Sequence, residues 1–151
     1  MKKAYPAILG LLCFALLSSP TLAADDAADV ADVIKASYFN GAFNDLDTES
    51  MRQGFHPEFA IFSARGNDIS RYPIDTWIKG IEKGKQAPDF DKSKAKMDCR
   101  IVRLEVTGGC AAAKIEIFQA GEQIYTDYLS LLKFDNGWKI VAKVYHSHKK
   151  K

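Results

Sequence analysis

Hydrophobic and polar positions along the chain alternate between helical and strand-like periods in the first two thirds and are almost wholly strand-like after that. Val30, Val33, Ile34, Ser37 and Tyr38 recur at helical spacing behind an acidic, alanine-rich start at Asp25, Asp26, Asp29 and Asp32, which suits the positive end of a helix dipole. The pattern predicts a helix to about Gly41. Asp47 reads as the cap of a second, shorter helix that buries Met51 and Phe55 and stops before Pro57. Then the period becomes two. Phe59 to Ala64 and Ile69 to Tyr72 flank the turn-rich tetrad Arg65-Gly66-Asn67-Asp68 and predict a small hairpin. Pro73 opens a third helix, with Ile74, Trp77, Ile78 and Ile81 on one face and Lys79, Glu82 and Lys83 on the other. Gly84 to Lys96 holds Pro88, four lysines and little apolar content, and predicts a long loop.

From Met97 onward the chain reads as strand over 97–106, 110–119, 122–134 and 138–147. Three helices followed by a meander predict an α+β domain, with the helices packed on one face of a curved antiparallel sheet. Gly108-Gly109 suits a two-residue hairpin loop that pairs Thr107 with Cys110. In that register Arg100, Val102, Leu104 and Val106 share the core face with Ala111, Ala113, Ile115 and Ile117, and Cys99 points outward. Asp135-Asn136-Gly137 suits a three-residue loop pairing Phe134 with Trp138. Ile124, Thr126, Tyr128, Ser130, Leu132 and Phe134 then line an inner face with Trp138, Ile140, Ala142, Val144 and His146. Asp127, Lys133, Lys139 and Lys143 fall on the outer face beside Leu129, Leu131, Val141 and Tyr145. A two-residue loop would change the cross-strand partners, because a slip of one residue reverses facing.

The N-terminus carries a different signal. Lys2 and Lys3 precede an apolar run from Ala7 to Leu17, then Pro20 and the small-residue pattern Thr21-Leu22-Ala23, the three parts of a secretory leader. The run is about half the roughly 20 apolar residues a spanning helix needs, so no membrane span is expected in the mature form. Cys13 lies inside the apolar run, not at its end, which argues against a lipid anchor. The expected organisation is a signal peptide over 1–23, one domain over 24–148 and a basic tail over 149–151, with the mature protein periplasmic or secreted.

Cleavage near Ala23 leaves 128 of the 151 residues, enough for one core. It also removes the two lysines that make the precursor's formal charge +2, so 19 basic and 19 acidic residues balance. A nucleic-acid partner is not expected from that balance, since the basic cluster from His146 to Lys151 reads as a solvated tail. The expected pairing places Cys99 and Cys110 at opposite ends of a hairpin, about 25 Å apart. A disulfide needs Cα atoms within roughly 6 Å. Two cysteines do not make a zinc site, the histidines lack zinc-like spacing, and no phosphate-cradling glycine loop or nucleophile elbow is present, so neither a metal nor a cofactor is expected.

The order helix, helix, hairpin, helix, meander resembles the nuclear transport factor 2-like superfamily. Phe55-His56-Pro57, Arg71-Tyr72-Pro73, Trp77, the run from Thr126 to Lys133, Gly137-Trp138-Lys139-Ile140-Val141 and Lys143-Val144-Tyr145-His146 resemble its "putative lumazine-binding" branch, over about residues 27–146. The resemblance implies a cone-shaped fold with a cavity between sheet and helices. Relatives on this fold include ketosteroid isomerases, SnoaL-like cyclases, dehydratases, binding proteins and dimerisation modules, so fold alone does not select an activity.

Candidate chemistry follows from these placements. His146 and His56 are the imidazoles outside the tail and could serve as general bases, His56 otherwise being held by backbone. Tyr128, Ser130 and Thr126 would give an apolar cavity a few oriented hydroxyls. Arg100 marks a rim or an anionic ligand group. Tyr38, Tyr72, Trp77 and Trp138 are core rings on which a planar ligand would stack. The resemblance implies a cavity aspartate in the enzymes, with Asp127 the position to consider, although the expected register makes it a surface partner of Lys143. The chain is therefore expected to bind a small, planar, partly apolar molecule. Proton-transfer catalysis (isomerase, dehydratase or cyclase) and a dimerising accessory role are the alternatives, and the apolar outer face predicts a homodimer.

Overall fold

A computed structural model describes residues 21–148. Most of the expected leader and the tail 149–151 lie outside the described residues. Helix α1 (Thr21–Val33) passes directly into a π-helical segment, Ile34–Asn44, and α2 (Thr48–Gly54) follows. Asp47 caps α2 as expected, its side chain accepting from the backbone N–H groups of Glu49 and Ser50. Strands β1 (Phe55–Arg65) and β2 (Asp68–Pro73) form the small hairpin, and α3 (Ile74–Lys85) follows Pro73. The loop contains one 3-10 turn, Lys92–Ala95. The meander is β3 (Asp98–Thr107), β4 (Cys110–Gln119), β5 (Glu122–Phe134) and β6 (Gly137–Ser147). Among the described residues no helix is long and apolar enough to cross a membrane.

The strands make one curved, unclosed sheet in the order β2-β1-β6-β5-β4-β3. It is not wholly antiparallel: β1 lies parallel to β6, pairing Ile61 with Lys143. The helices cover one face. Val30, Ile34, Tyr38, Met51, Phe59 and Ile78 from the N-terminal half are buried against Ile115, Ile117, Leu129, Leu131, Trp138 and Ile140 of the sheet. Asp26 ties α1 to the last hairpin, accepting hydrogen bonds from Lys133 Nζ and Trp138 Nε1. Gly54 is required where α2 meets the π-helical segment, because a Cβ there would overlap the Ser37 side chain.

Two bulges revise the expected faces. In β3 the pairing runs as expected from Thr107↔Cys110 to Arg103↔Lys114, then Val102 is skipped and Ile101 pairs with Ile115. A bulge adds one residue to one strand and so reverses facing beyond it. Leu104 and Val106 therefore pack against the core as expected, but Arg100 and Val102 are exposed and Cys99 is part of the core margin. In the last hairpin the loop has two residues, Phe134 pairing with Gly137, and Val141 is skipped between Leu131↔Ile140 and Ser130↔Ala142. Trp138 and Ile140 face inward; past the bulge Lys143 takes over that face. Asp127, Leu129 and Leu131 are buried with it, whereas Tyr128, Ser130, Leu132, Phe134, Val144 and His146, all but Ser130 apolar or aromatic in part, stand exposed on the outside.

Candidate functional site

The π-helical segment supplies the site's first group. Its wider turn, closed by i→i+5 bonds such as Asp45 N–H to Asn40 C=O at 2.7 Å, brings residues five apart onto one face. Tyr38 and Phe43 accordingly meet edge to face with ring centroids 5.2 Å apart. Behind them Tyr38 is fully buried and donates its hydroxyl proton to Asp127 Oδ2.

Asp127 and Lys143 come from adjacent strands. Asp127 pairs with Tyr145 and Leu129 with Lys143, so the two charged residues are diagonal neighbours on one face. Lys143 Nζ lies 3.0 Å from Asp127 Oδ2 and donates to Tyr38 Oη at 2.7 Å. Asp127 is 0% exposed and Lys143 6%. The remaining carboxylate oxygen, Asp127 Oδ1, is buried without a hydrogen-bond partner among the described residues. Four rings surround the amine, with centroids 5.2 Å (Tyr38), 5.3 Å (Tyr145), 5.5 Å (Trp77) and 6.0 Å (Phe43) from Nζ.

The electrostatics follow from burial. Desolvation pushes the Lys143 ammonium below the ordinary lysine range, and the Asp127 charge works against that shift. Burial, then the Asp127 charge, pushes the Tyr38 phenol well above its usual value. The Cys99 thiol beside the site is pushed up to about 12, first by burial and then by Asp98 and Asp127. A tyrosine hydroxyl, an amine and a carboxylate thus form a connected path for a proton.

Lys143 also lines a cleft of about 390 Å³. Trp77 and Phe43 wall it on the helix side, Ile61, Ser63 and Tyr72 on the β1–β2 side, and Tyr125 and Tyr145 on the meander side. The cleft runs from solvent down to the amine, with Asp127 and Tyr38 beneath. Of the residues singled out in the sequence, Tyr38, Tyr72 and Trp77 belong here, and so does Asp127, which is a buried partner of Lys143 and not a surface one.

The others do not come together with them. Tyr128 is 51% exposed on the outer face, and Ser130 and His146 stand beside it. His146 packs edge to face on His148, which shares a 2.9 Å hydrogen bond with Thr126 Oγ1. His56 Nδ1 accepts from the Glu58 backbone at 3.1 Å and its ring stacks on Phe134, so backbone holds it. Arg100 pairs with Asp98 at 2.6 Å and lies over the Phe118 ring at the sheet edge, a rim position. Phe43, Tyr125 and Tyr145 were missed as site residues, and Lys143 was expected only as a surface partner of Asp127. For Lys143 and Tyr145 the signal was the unbroken apolar run Ile140-Val141-Ala142, which interrupts the alternation where the bulge falls.

A family model described as "Putative lumazine-binding" matches residues 25–146. The chain belongs to that family. A nuclear transport factor 2-like protein of unknown function from Shewanella baltica OS155 superposes with TM-score 0.66 at 25% identity, over 84% of this chain and 97% of that one. One from Methylobacillus flagellatus KT gives 0.62 at 26%, over 83% and 94%. The chain is also 28% identical over 97 residues to an aldolase, FrzH, from a Cladobotryum species, which is 64% of this chain and 73% of that protein. The expected fold therefore holds, and membership of the putative lumazine-binding family supports a ligand-binding cavity between sheet and helices.

Proposed function

We propose that this protein is exported and binds a small, planar, partly apolar molecule in the cleft above Lys143. The observation that carries the reading is the buried Asp127–Tyr38–Lys143 cluster at the floor of an aromatic cleft. Burying an ion pair gains the fold little, since apolar side chains of similar volume commonly serve as well, and perturbed groups gathered in a cleft are typical of working sites. The volume is within the usual range for small-molecule sites, and a few polar groups among rings fix a ligand's orientation. Trp77, Tyr72 and Tyr145 would stack on its plane, and Lys143 would donate to a polar edge.

Two further parts belong to this reading. Export rests on Lys2-Lys3, the apolar run and the small residues before Ala24. Pairing with a second copy rests on the exposed outer face. Proton-transfer catalysis is the second reading: a carboxylate hydrogen-bonded to a phenol and an amine is equipped to move a proton, and one relative carries the name aldolase. Native mass spectrometry of protein purified from its own periplasm tests the main reading. A retained mass that disappears in Tyr72→Ala and Trp77→Ala supports it; a bare chain with the mature mass, unresponsive to periplasmic extract, counts against it.

A further inference from the structure

We infer that Lys143 is a carbonyl-capturing amine, forming an imine with an aldehyde or ketone group on the molecule that enters the cleft. The inference deepens the binding reading above and rests on it. Lys143 Nζ is at once the cationic group in the cleft wall and a direct neighbour of a buried carboxylate and a buried phenol. An amine kept only as a counter-ion would gain from being hidden behind Asp127. Here it lies between the carboxylate and the opening, surrounded by Trp77, Phe43, Tyr145 and Tyr38, rings that exclude water from a condensation releasing water.

The chemistry balances with groups at hand. Asp127 Oδ2 accepts one proton from the Lys143 ammonium, directly or across the Tyr38 hydroxyl. The freed nitrogen lone pair forms a bond to the carbonyl carbon, and the carbonyl π pair moves to oxygen. A proton passes from nitrogen to that oxygen, giving a carbinolamine. Asp127 returns its proton to the hydroxyl, the C–O bond breaks, water leaves, and the nitrogen lone pair forms C=N. The net change is one ammonium and one carbonyl converted to one protonated imine and one water, with no oxidant or reductant. Desolvation shifts Lys143 toward the free amine relative to an exposed lysine, and the Asp127 charge opposes that shift.

The experiment treats the mature protein with 2-naphthaldehyde and sodium cyanoborohydride, followed by peptide mapping. In parallel, 2-naphthylmethanol, which lacks a carbonyl, reports cleft occupancy by quenching Trp77 in a Trp138→Phe background. The expected result is one adduct per chain, of the aldehyde mass less one oxygen, on Lys143. It forms faster than on any exposed lysine, whose amine stays solvated, and the alcohol suppresses it. Lys143→Arg should abolish the adduct and leave the slow labelling of exposed lysines as it was; if that variant does not fold, the map of the wild-type protein decides alone. Quenching by the alcohol with label spread over exposed lysines overturns the imine and leaves the cavity standing. Absence of both quenching and a Lys143 adduct overturns both.

Discussion

Lys143 reaches across one strand to place its Nζ 3.0 Å from Asp127 Oδ2, with 6% and 0% of the two residues open to solvent. Neither residue is buried by hydrophobicity. The Val141 bulge turns Lys143 inward, the β4–β5 register fixes Asp127 beside Ile115, and the Tyr38 hydroxyl joins them from the π-helical segment. The pair is therefore a product of backbone geometry, and its energetics depend on both members being present.

Removing one member should cost far more than removing both. Lys143→Met leaves the Asp127 carboxylate buried without its cation, and the expected loss is about 3–5 kcal/mol. Combining it with Asp127→Leu removes the uncompensated charge and should recover most of that loss. Urea denaturation of the two single variants and the double one measures the coupling. Single-variant losses below about 1 kcal/mol would mean that the pair is hydrated and the site is open.

The Cys99 thiol gives a pH signature. Unfolded, it ionises near 9.0; folded, it holds its proton to about 12. Above pH 9 the folded state thus binds more protons than the unfolded one, so the contribution present below pH 9 is lost as pH rises toward 12. Urea midpoints should fall between pH 8 and pH 10 more steeply in the wild type than in Cys99→Ala. Exposed Cys110 should react with a thiol reagent well before Cys99. Mass analysis should find no bond between them within one chain, since they end opposite strands of the β3–β4 hairpin. Equal reaction rates would remove Cys99 from the core margin.

Gly54→Ala should destabilise by about 1–3 kcal/mol, the usual cost of overpacking. The added carbon would enter the space of the Ser37 side chain, itself buried where Ser50 Oγ bonds the Ala36 carbonyl at 3.1 Å. Ser37→Gly in the same chain should restore part of the stability. Failure of that rescue would place the strain in the backbone and not in the contact.

Element order and type were readable because helical and alternating periods are written locally, in Ile74-Trp77-Ile78-Ile81 or in Ala111-Ala113-Ile115-Ile117. The candidate site was only half readable. Tyr38 and Trp77 sit on helical segments whose inward faces are unambiguous, whereas Tyr72 lies on β2, where Ile69 is exposed and the strand has no clear core face. In the last hairpin two errors in loop length and bulge cancelled in the pairing, so Tyr128↔Val144 and Thr126↔His146 came out right, but the facing did not. Trp138 and Ile140 do face inward, and extending that parity past Val141 carried Val144 and His146 with them. Charge then reinforced the mistake: Asp127 and Lys143 look like surface residues until Tyr38 and three further rings are known to enclose them.

The two faces make opposite forecasts for ligand binding. Tyr128→Phe and His146→Ala alter the outside of the sheet and should leave the affinity for any cleft ligand unchanged. Trp77→Leu or Tyr72→Leu removes a ring from the cleft wall, worth about 0.5–1.5 kcal/mol beyond its buried area, or about threefold to tenfold in affinity. Fluorescence or calorimetric titration with 2-naphthylmethanol distinguishes them. A loss confined to the Tyr128 and His146 variants would move the site to the outer face.

The outer face should pair two copies of the chain. Tyr128, Leu132, Phe134, Val144 and Val102 are exposed there, with Tyr128 and Val144 directly opposite one another across β5 and β6 and Phe62 next in the same row on β1. An apolar row continuous across three strands is unusual on a monomer and marks an interaction surface. Leu129 and Leu131, which the alternation had assigned to this face, are core residues, so the patch that remains is aromatic and β-branched at its centre and flanked by Arg103, Glu105, Lys114 and Glu116. A twofold axis through the Val144 row would bring like surfaces together, as a symmetric dimer requires, with opposite charges available at the margin. The mature protein should therefore sediment as a dimer at tens of micromolar. Val144→Glu places two like charges at the centre of that contact and should yield a folded monomer, with the far-ultraviolet spectrum unchanged; a wild-type chain that sediments as a monomer at this concentration refutes the pairing.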